Sequence, residues 1–146
     1  MADTLVSYLH YISFMTLFAA VVAQHLFFAT EVSAATVMRL VRLDGIVGIS
    51  ALLVLMTGLL KVFVVGLPAA VYAKNPFLHT KFTLFVLAAL VSIVVTRDLF
   101  KARKVALAAA SGALISLPRR IAIIQRIELL ALAVLPLLAA LMVRYH

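Results

Sequence analysis

The sequence of 146 residues contains no cysteine and few charged residues. Without cysteine, the chain has no disulfide, no thiolate metal ligand and no cysteine nucleophile. Charged residues make up 12% of it, whereas they approach roughly a quarter of a soluble protein. Hydrophobic residues make up 66% of it. This composition excludes an ordinary soluble protein and indicates an integral membrane protein.

The apolar residues fall into four runs, over about residues 5–29, 44–67, 76–96 and 121–143. A membrane-spanning helix needs about 20 residues, and a spanning strand needs about half as many. Because lipid admits only helices and closed barrels, the sequence predicts an all-α, four-helix transmembrane bundle. These spans use most of the chain, so we expect residues 1–146 to form a single domain.

The start of the chain does not have the features of a cleaved signal. No basic residue precedes the first run, which is also longer than the apolar region of a signal peptide. We therefore expect a retained span and an N-terminus that is mature as written. Asn75 and Pro76 predict the start of the third helix, because asparagine is a common N-cap and proline is favoured at the first helical position.

The third helix is expected to continue beyond the membrane. Arg97, Lys101 and Lys104 recur at helical spacing, which places a basic face on the headgroups. Three residues that disfavour helix are then expected to end it: Ser111, Gly112 and Pro118.

Lysine and arginine are unevenly distributed between the two ends of the predicted bundle. Nine lie at the first and third connections: Arg39, Arg42, Arg97, Lys101, Arg103, Lys104, Arg119, Arg120 and Arg126. The other four lie at the opposite end: Lys61, Lys74, Lys81 and Arg144. By the positive-inside rule, we expect both termini on the outer, periplasmic side and a basic cytoplasmic segment over about residues 97–120.

The formal net charge of +8 does not predict a nucleic-acid partner. The basic residues are tied to the ends of membrane spans, and no recognised nucleic-acid motif surrounds them. Membrane lipids with anionic headgroups are the expected partners.

His10 is an ionisable side chain inside the first span, where such groups are costly and usually face the bundle interior. At 100° per residue, one stripe of the first helix contains His10, Ser13, Leu17, Val21 and Gln24. His25 lies about 60° from His10 on this helix. We expect this face to point into the bundle. The second helix has a similar stripe of mostly small residues: Asp44, Gly48, Ala51, Leu55 and Gly58.

His79 lies one turn inside the predicted third helix, and His10 enters the membrane from the same side. At 1.5 Å rise per residue, the two imidazoles can occupy similar depths. One hypothesis is that His10 and His79 are axial ligands of a single haem b, or that one is a ligand and the other carries a proton. The alternative is that each histidine makes a hydrogen bond across a helix interface.

Lys81 follows His79 by two residues and points about 160° away from it on an ideal helix. In one interpretation, Lys81 snorkels to the outer interface. In the other, it forms an outer cationic rim with Lys61 and Lys74 that holds the carboxylates of a haem or an anionic substrate.

A second group of ionisable residues lies toward the cytoplasmic side: His25, Glu31, Arg42, Asp44, Arg97, Arg126 and Glu128. Glu128 lies inside the fourth span, where a lone carboxylate is either paired or protonated. Pairing with Arg42 or Arg97 would be structural, and proton transfer with His25 would be functional. Pro136 is expected to kink the same span.

The order of short motifs along the chain resembles a known family. These motifs are Tyr8-Leu9-His10, Arg42-Leu43-Asp44, Thr57-Gly58, Asn75-Pro76-Phe77-Leu78-His79-Thr80-Lys81, and Glu128 with Pro136. Over essentially the whole chain they look like a bacterial family of predicted four-span membrane proteins of unknown function. The resemblance implies a multi-pass protein of the bacterial inner membrane.

The sequence is also distantly similar to HemJ-type protoporphyrinogen IX oxidases and to the related CopD copper-resistance membrane domains. The similar residues are His10, His79 with Lys81, and Glu128. This resemblance implies that His10 is involved in binding haem b and that Lys81 is important.

Three classes of function therefore remain open. The first is a small membrane protein that binds haem b for redox or porphyrin-related chemistry. The second is a transporter or permeation subunit for a proton or a small anion, which uses His25, Asp44 and Glu128 and acts as a homo-oligomer. The third is a non-enzymatic accessory membrane protein whose polar residues serve packing.

Overall fold

The computed structural model describes residues 1–65 and 74–144. Within them, most of the chain forms long helices: α1 (Ala2–Phe27), α2 (Ala34–Leu60), α3 (Pro76–Ala108) and α4 (Arg120–Arg144). A π-helical turn, Lys61–Val65, continues α2. Two short antiparallel strands complete the fold: β1 (Glu31–Ser33) and β2 (Leu114–Ser116).

The two strands determine which ends of the helices lie together. β1 joins α1 to α2, β2 lies between α3 and α4, and Val32 pairs with Ile115 across the ribbon. Both connections therefore meet at one end of the molecule, the ribbon end. The start of α1 and the end of α4 lie at the opposite end, the terminal end. Successive helices contact one another, and α1 contacts α4, which closes a four-helix bundle.

All four helices are long and apolar enough to cross a membrane, with a mean hydropathy of 1.8 to 2.3. Large apolar side chains such as Ile49, Leu90 and Leu130 are exposed on their outer faces. Such faces match the hydrocarbon of a bilayer. The predicted four-helix transmembrane bundle is confirmed.

The second helix begins earlier than predicted, at Ala34 rather than Asp44. The Ser33 hydroxyl caps it by accepting a hydrogen bond from the Thr36 amide at 3.3 Å. Arg42 interrupts the apolar run without interrupting the helix, because its side chain is exposed. The predicted end of the second span, Leu67, lies outside the described residues.

The ribbon at the first and third connections was not predicted and is an addition to the helical bundle. In each strand the central residue, Val32 or Ile115, is buried and its neighbours are exposed. Thr30 also accepts a hydrogen bond from the Leu117 amide at 2.8 Å. The predicted extension of the third helix beyond residue 96 is confirmed, and the chain turns after Ala108 through Gly112, whose φ of 84° favours glycine.

One ion pair joins α3 to α4 at the ribbon end. Arg120 donates from Nε to Asp98 Oδ2 at 2.6 Å, and its Nη2 donates to the second carboxylate oxygen. The Asp98 side chain is 3% exposed, whereas that of Arg120 is 57% exposed. Among residues 1–65 and 74–144 this is the sole ion pair. It ties the extension of α3 to the first turn of α4.

The buried apolar side chains form two clusters. The ribbon-end cluster contains Val32, Val37, Leu40, Val95, Leu99, Ala102, Ala106, Ile115, Leu117 and Ile121. The central cluster contains Leu17, Ala20, Val21, Val47, Val54, Leu132 and Leu135. On α2 and α4, buried polar residues occupy the positions between the two clusters. This arrangement places hydrogen-bonding and ionisable side chains at one depth inside an apolar bundle.

Candidate functional site

All four helices contribute to a polar layer between the two apolar clusters. Its members are Gln24 and His25 on α1, Asp44 on α2, Ser92 and Thr96 on α3, and Gln125 and Glu128 on α4. Four of these side chains are buried: Gln125 is 0% exposed, Gln24 1%, Glu128 5% and Asp44 7%. Because burying polar groups costs free energy unless they are hydrogen-bonded, their contacts decide what the layer can do.

Asp44 is held by neutral hydrogen-bonding groups from two other helices. Gln24 donates from Nε2 to Asp44 Oδ1 at 3.3 Å and to the Leu40 carbonyl at 3.5 Å. The Thr96 side chain approaches the Asp44 carboxyl from α3. These contacts orient the carboxyl without supplying a positive charge.

Glu128 has a similar environment on the other side of the layer. The Ser92 side chain approaches the Glu128 carboxyl from α3, and Asp44 is the charged residue within electrostatic range of it. The expected ion pair with Arg42 or Arg97 is not formed in the described part of the chain, because both arginine side chains are exposed. The buried carboxyl groups of Asp44 and Glu128 therefore interact electrostatically, and neither has a cationic partner among the described residues.

His25 lies at the ribbon-end edge of the layer, in the last turn of α1. Its Nδ1 lies 3.2 Å from Gln125 Oε1. Because an amide oxygen only accepts hydrogen bonds, Nδ1 is the donor in this contact. The Gln125 Nε2 atom is buried and has no partner in the described part of the chain. The amide group therefore has unused donor capacity inside the layer.

His10 lies near the terminal end, where it contacts α2. Its Nδ1 is 2.9 Å from the Thr57 hydroxyl, which itself lies 2.6 Å from the Leu53 carbonyl. The carbonyl can only accept, so the one hydroxyl proton is donated to it and the imidazole Nδ1–H donates to Thr57 Oγ1. Nε2 is then the ring nitrogen with a lone pair. Gly58 lies alongside, and a Cβ at that position would be 3.5 Å from His10 Cε1.

Two lysines lie around His10 at the terminal end. Lys61 donates from Nζ to Ser7 Oγ at 2.8 Å, and the same Nζ lies 5.7 Å from the centre of the Tyr11 ring. Lys61 and Lys81 are the groups whose positive charges reach the His10 ring.

The structure places His79 and Lys81 on different sides of α3. Lys81 is half-buried and acts on His10, whereas His79 is exposed and lines a shallow surface depression with Thr83 and Leu87. On α3 it is therefore Lys81, and not His79, whose charge reaches His10. No group of three or more metal-ligating His, Cys, Asp or Glu side chains occurs among residues 1–65 and 74–144.

The predicted inward face of α1 is confirmed, because Ser13, Leu17, Val21 and Gln24 are buried. The predicted face of α2 is partly wrong. Gly48 is exposed and has open space around it, whereas the buried face runs through Asp44, Val47, Ser50, Val54 and Thr57. The buried face of α2 therefore contains the polar residues Asp44, Ser50 and Thr57, whereas the small residue Gly48 lies outside it.

Sequence reasoning missed four residues of the layer as site residues: Gln24, Ser92, Thr96 and Gln125. Three of them carried a usable signal. Gln125 lies three residues before Glu128, which puts both amide and carboxyl on one helix face. Ser92 and Thr96 are four residues apart on α3, which also puts them on one face. Neither spacing shows which neighbouring helix the pair faces. The contacts of these residues could therefore be assigned only from the folded structure.

Residues 2–145 match the family described as "Predicted membrane protein (DUF2214)", and the chain therefore belongs to this family. No curated protein and no solved structure matches the chain. The family description gives a membrane location and no activity.

Replacing Gln24 with leucine is expected to lower the free energy of unfolding by about 1–3 kcal/mol, because the Asp44 carboxyl stays buried and loses a donor. The measurement is reversible unfolding in mixed detergent micelles. Thr16→Val is the control on the same helix, since Thr16 is exposed and its hydroxyl bonds only to the Ile12 carbonyl. Its effect should stay within about 0.5 kcal/mol. Equal effects of the two substitutions would contradict the contact.

Proposed function

We propose that the protein conducts protons across a membrane through the polar layer. The observation that carries this proposal is the pair of buried carboxyl groups, Asp44 and Glu128. Their charges interact with each other, and neither carboxyl forms an ion pair with a described residue. Ionisable groups at membrane depth are costly, and they often belong to proton relays.

The chemistry of the layer supports a proton as the species that moves. Two ionised carboxylates in the same apolar surroundings repel each other, and one proton bound to either of them removes that repulsion. Gln24 donates a hydrogen bond to Asp44, and the Ser92 and Thr96 side chains approach Glu128 and Asp44. A hydroxyl can donate to a carboxylate or accept from a carboxylic acid. His25 is half-buried at the ribbon-end edge, where an imidazole can exchange a proton with that side.

The membrane placement belongs to the same proposal. Nine of the thirteen lysine and arginine residues lie toward the ribbon end and four toward the terminal end. By the positive-inside rule, the ribbon end faces the cytoplasm, and both termini face the periplasm of a bacterial inner membrane. Protons from the terminal side would then cross the central apolar cluster to reach the layer and leave it past His25, or the reverse.

The placement predicts which positions a membrane-impermeant maleimide reaches in intact cells. The chain has no cysteine, so single substitutions give clean labels. Lys74→Cys should be labelled, because Lys74 is exposed at the terminal end, whereas Ser111→Cys should react only after cells are opened. The opposite pattern would reverse the orientation.

The proton pathway predicts a loss of flux when the layer loses a titratable carboxyl. In proteoliposomes with a pH-sensitive dye inside, Glu128→Gln and Asp44→Asn should each lower the proton flux at least about tenfold. Each change keeps the shape of the side chain and one acceptor oxygen, and it replaces the titratable oxygen with an amide nitrogen. Glu31→Gln is the matched control, because Glu31 is an exposed carboxylate in β1. Wild-type flux in Glu128→Gln, or no flux in the wild type, would contradict the proposal.

A second candidate function is the binding of haem b by His10. Histidines that ligate a metal usually donate their other ring N–H to an oxygen partner, and the Thr57 hydroxyl provides such a partner. Lys61 and Lys81 lie close enough to act on the imidazole and could balance haem carboxylates. Because His79 is exposed on α3, this candidate uses His10 as the ligand. The bound haem would supply electron transfer.

An absorbance spectrum tests this candidate directly. Protein purified from haem-replete cells should show a Soret band, and His10→Ala should remove most of it. His79→Ala is the matched control and should keep the band, since it removes an imidazole at the same end of the bundle. Colourless wild-type protein whose addition leaves the hemin spectrum unchanged would rule the candidate out.

A further inference from the structure

An open cavity lies at the ribbon end, between the extension of α3, β2 and the start of α4. Its volume is about 400 Å³, which falls within the range of about 300–1,000 Å³ that is usual for ligand sites in proteins. Val105 and Leu114 form part of its apolar wall, and Lys101 and Arg120 bring positive charge to it. The cavity therefore combines an apolar surface with cationic groups.

The position of the cavity along α3 places it at the membrane surface. The apolar run of α3 ends at Arg97, whose side chain is exposed, and a charged side chain exposed to hydrocarbon is costly. The hydrocarbon therefore ends near this residue. Asp98 and Val105, which both line the cavity, span the next roughly 10 Å of the helix. This is the depth of the lipid headgroups.

The two cations of the cavity keep hydrogen-bonding capacity for a ligand. Arg120 holds the Asp98 carboxylate with Nε and Nη2, so the negative charge of Asp98 is compensated, and Nη1 makes no hydrogen bond within the described residues. Lys101 is exposed and forms no ion pair in the described part of the chain. Nine lysine and arginine residues lie toward this end, against two acidic residues outside the polar layer, Glu31 and Asp98. The charge of the ribbon end is therefore complementary to an anion.

One stripe on the outer face of α3 leads from the hydrocarbon to the cavity. Leu90, Val94, Arg97 and Lys101 follow one another at spacings of four, three and four residues, which keeps them on one helix face. All four side chains are exposed. The two apolar residues lie at the depth of acyl chains, and the two basic residues lie at the depth of headgroups. A free phosphate ion would use only the basic half of this stripe, whereas a phospholipid matches both halves.

We propose that this cavity binds the phosphate of an anionic phospholipid whose acyl chains lie along Leu90 and Val94. Lys101 and Arg120 donate charge-assisted hydrogen bonds to the phosphate oxygens. The apolar wall that includes Val105 and Leu114 packs against the glycerol backbone of the lipid. The site lies outside the polar layer, so it depends neither on proton conduction nor on haem binding.

Native mass spectrometry of the full chain in an uncharged detergent tests the site, because it counts bound lipids one by one. The probes are phosphatidylglycerol and phosphatidylcholine with identical acyl chains. The first phosphatidylglycerol should bind saturably and at least about tenfold more tightly than phosphatidylcholine. Lys101→Gln should weaken this binding about tenfold, since a charge-assisted hydrogen bond is lost, and Lys101→Arg should retain it.

Lys104→Gln is the matched control, because it removes the same charge from an exposed residue of the same helix that lies outside the cavity. It should change the affinity within about twofold. Equimolar glycerol phosphate, which has the phosphate and no acyl chain, should leave the lipid bound. Three results would each overturn the proposal: equal affinity for the two lipids, no greater weakening by Lys101→Gln than by Lys104→Gln, or displacement of the lipid by glycerol phosphate.

Discussion

Two carboxyl groups buried between apolar clusters are the constraint on which the rest of the structure depends. Asp44 and Glu128 lie on helices α2 and α4, and each is only a few per cent exposed. A membrane interior offers no water to stabilise them, so the bundle must supply hydrogen bonds or a proton. Gln24 supplies a hydrogen bond to Asp44, and the Ser92 and Thr96 side chains approach the two carboxyls. In the proposed function, one bound proton removes the repulsion that remains.

The ribbon end keeps these groups at one depth. Counted from the ribbon end, Asp44 lies roughly 15 Å along α2 and Glu128 roughly 12 Å along α4, at 1.5 Å per residue. A slip of one turn would move either carboxyl into an apolar cluster. The pairing of β1 with β2 and the ion pair of Asp98 with Arg120 hold the helix starts together. The strand pairing and the ion pair at the ribbon end therefore fix the depth at which Asp44 and Glu128 lie inside the bundle.

The sequence predicts the bundle because long apolar runs leave few alternatives in lipid. It also predicts the inward face of α1, where Ser13 and Gln24 break an otherwise apolar surface. The β-ribbon could not be predicted, since three-residue strands have no periodicity to detect. The partners of Glu128 could not be predicted either. Ser92 and Asp44 are distant in the chain, and only tertiary packing brings them to it rather than to Arg42 or Arg97.

The proposed binding of a proton by Asp44 and Glu128 has a direct spectroscopic signature. Infrared difference spectra of the protein in lipid vesicles, recorded as the pH is raised, report the C=O stretch of protonated carboxyl groups. A titrating carboxylic band is expected in the wild type, and it should shift in Asp44→Asn and be lost in Glu128→Gln. A band that both substitutions leave unchanged, or its absence at every pH, would contradict a proton held between these two residues.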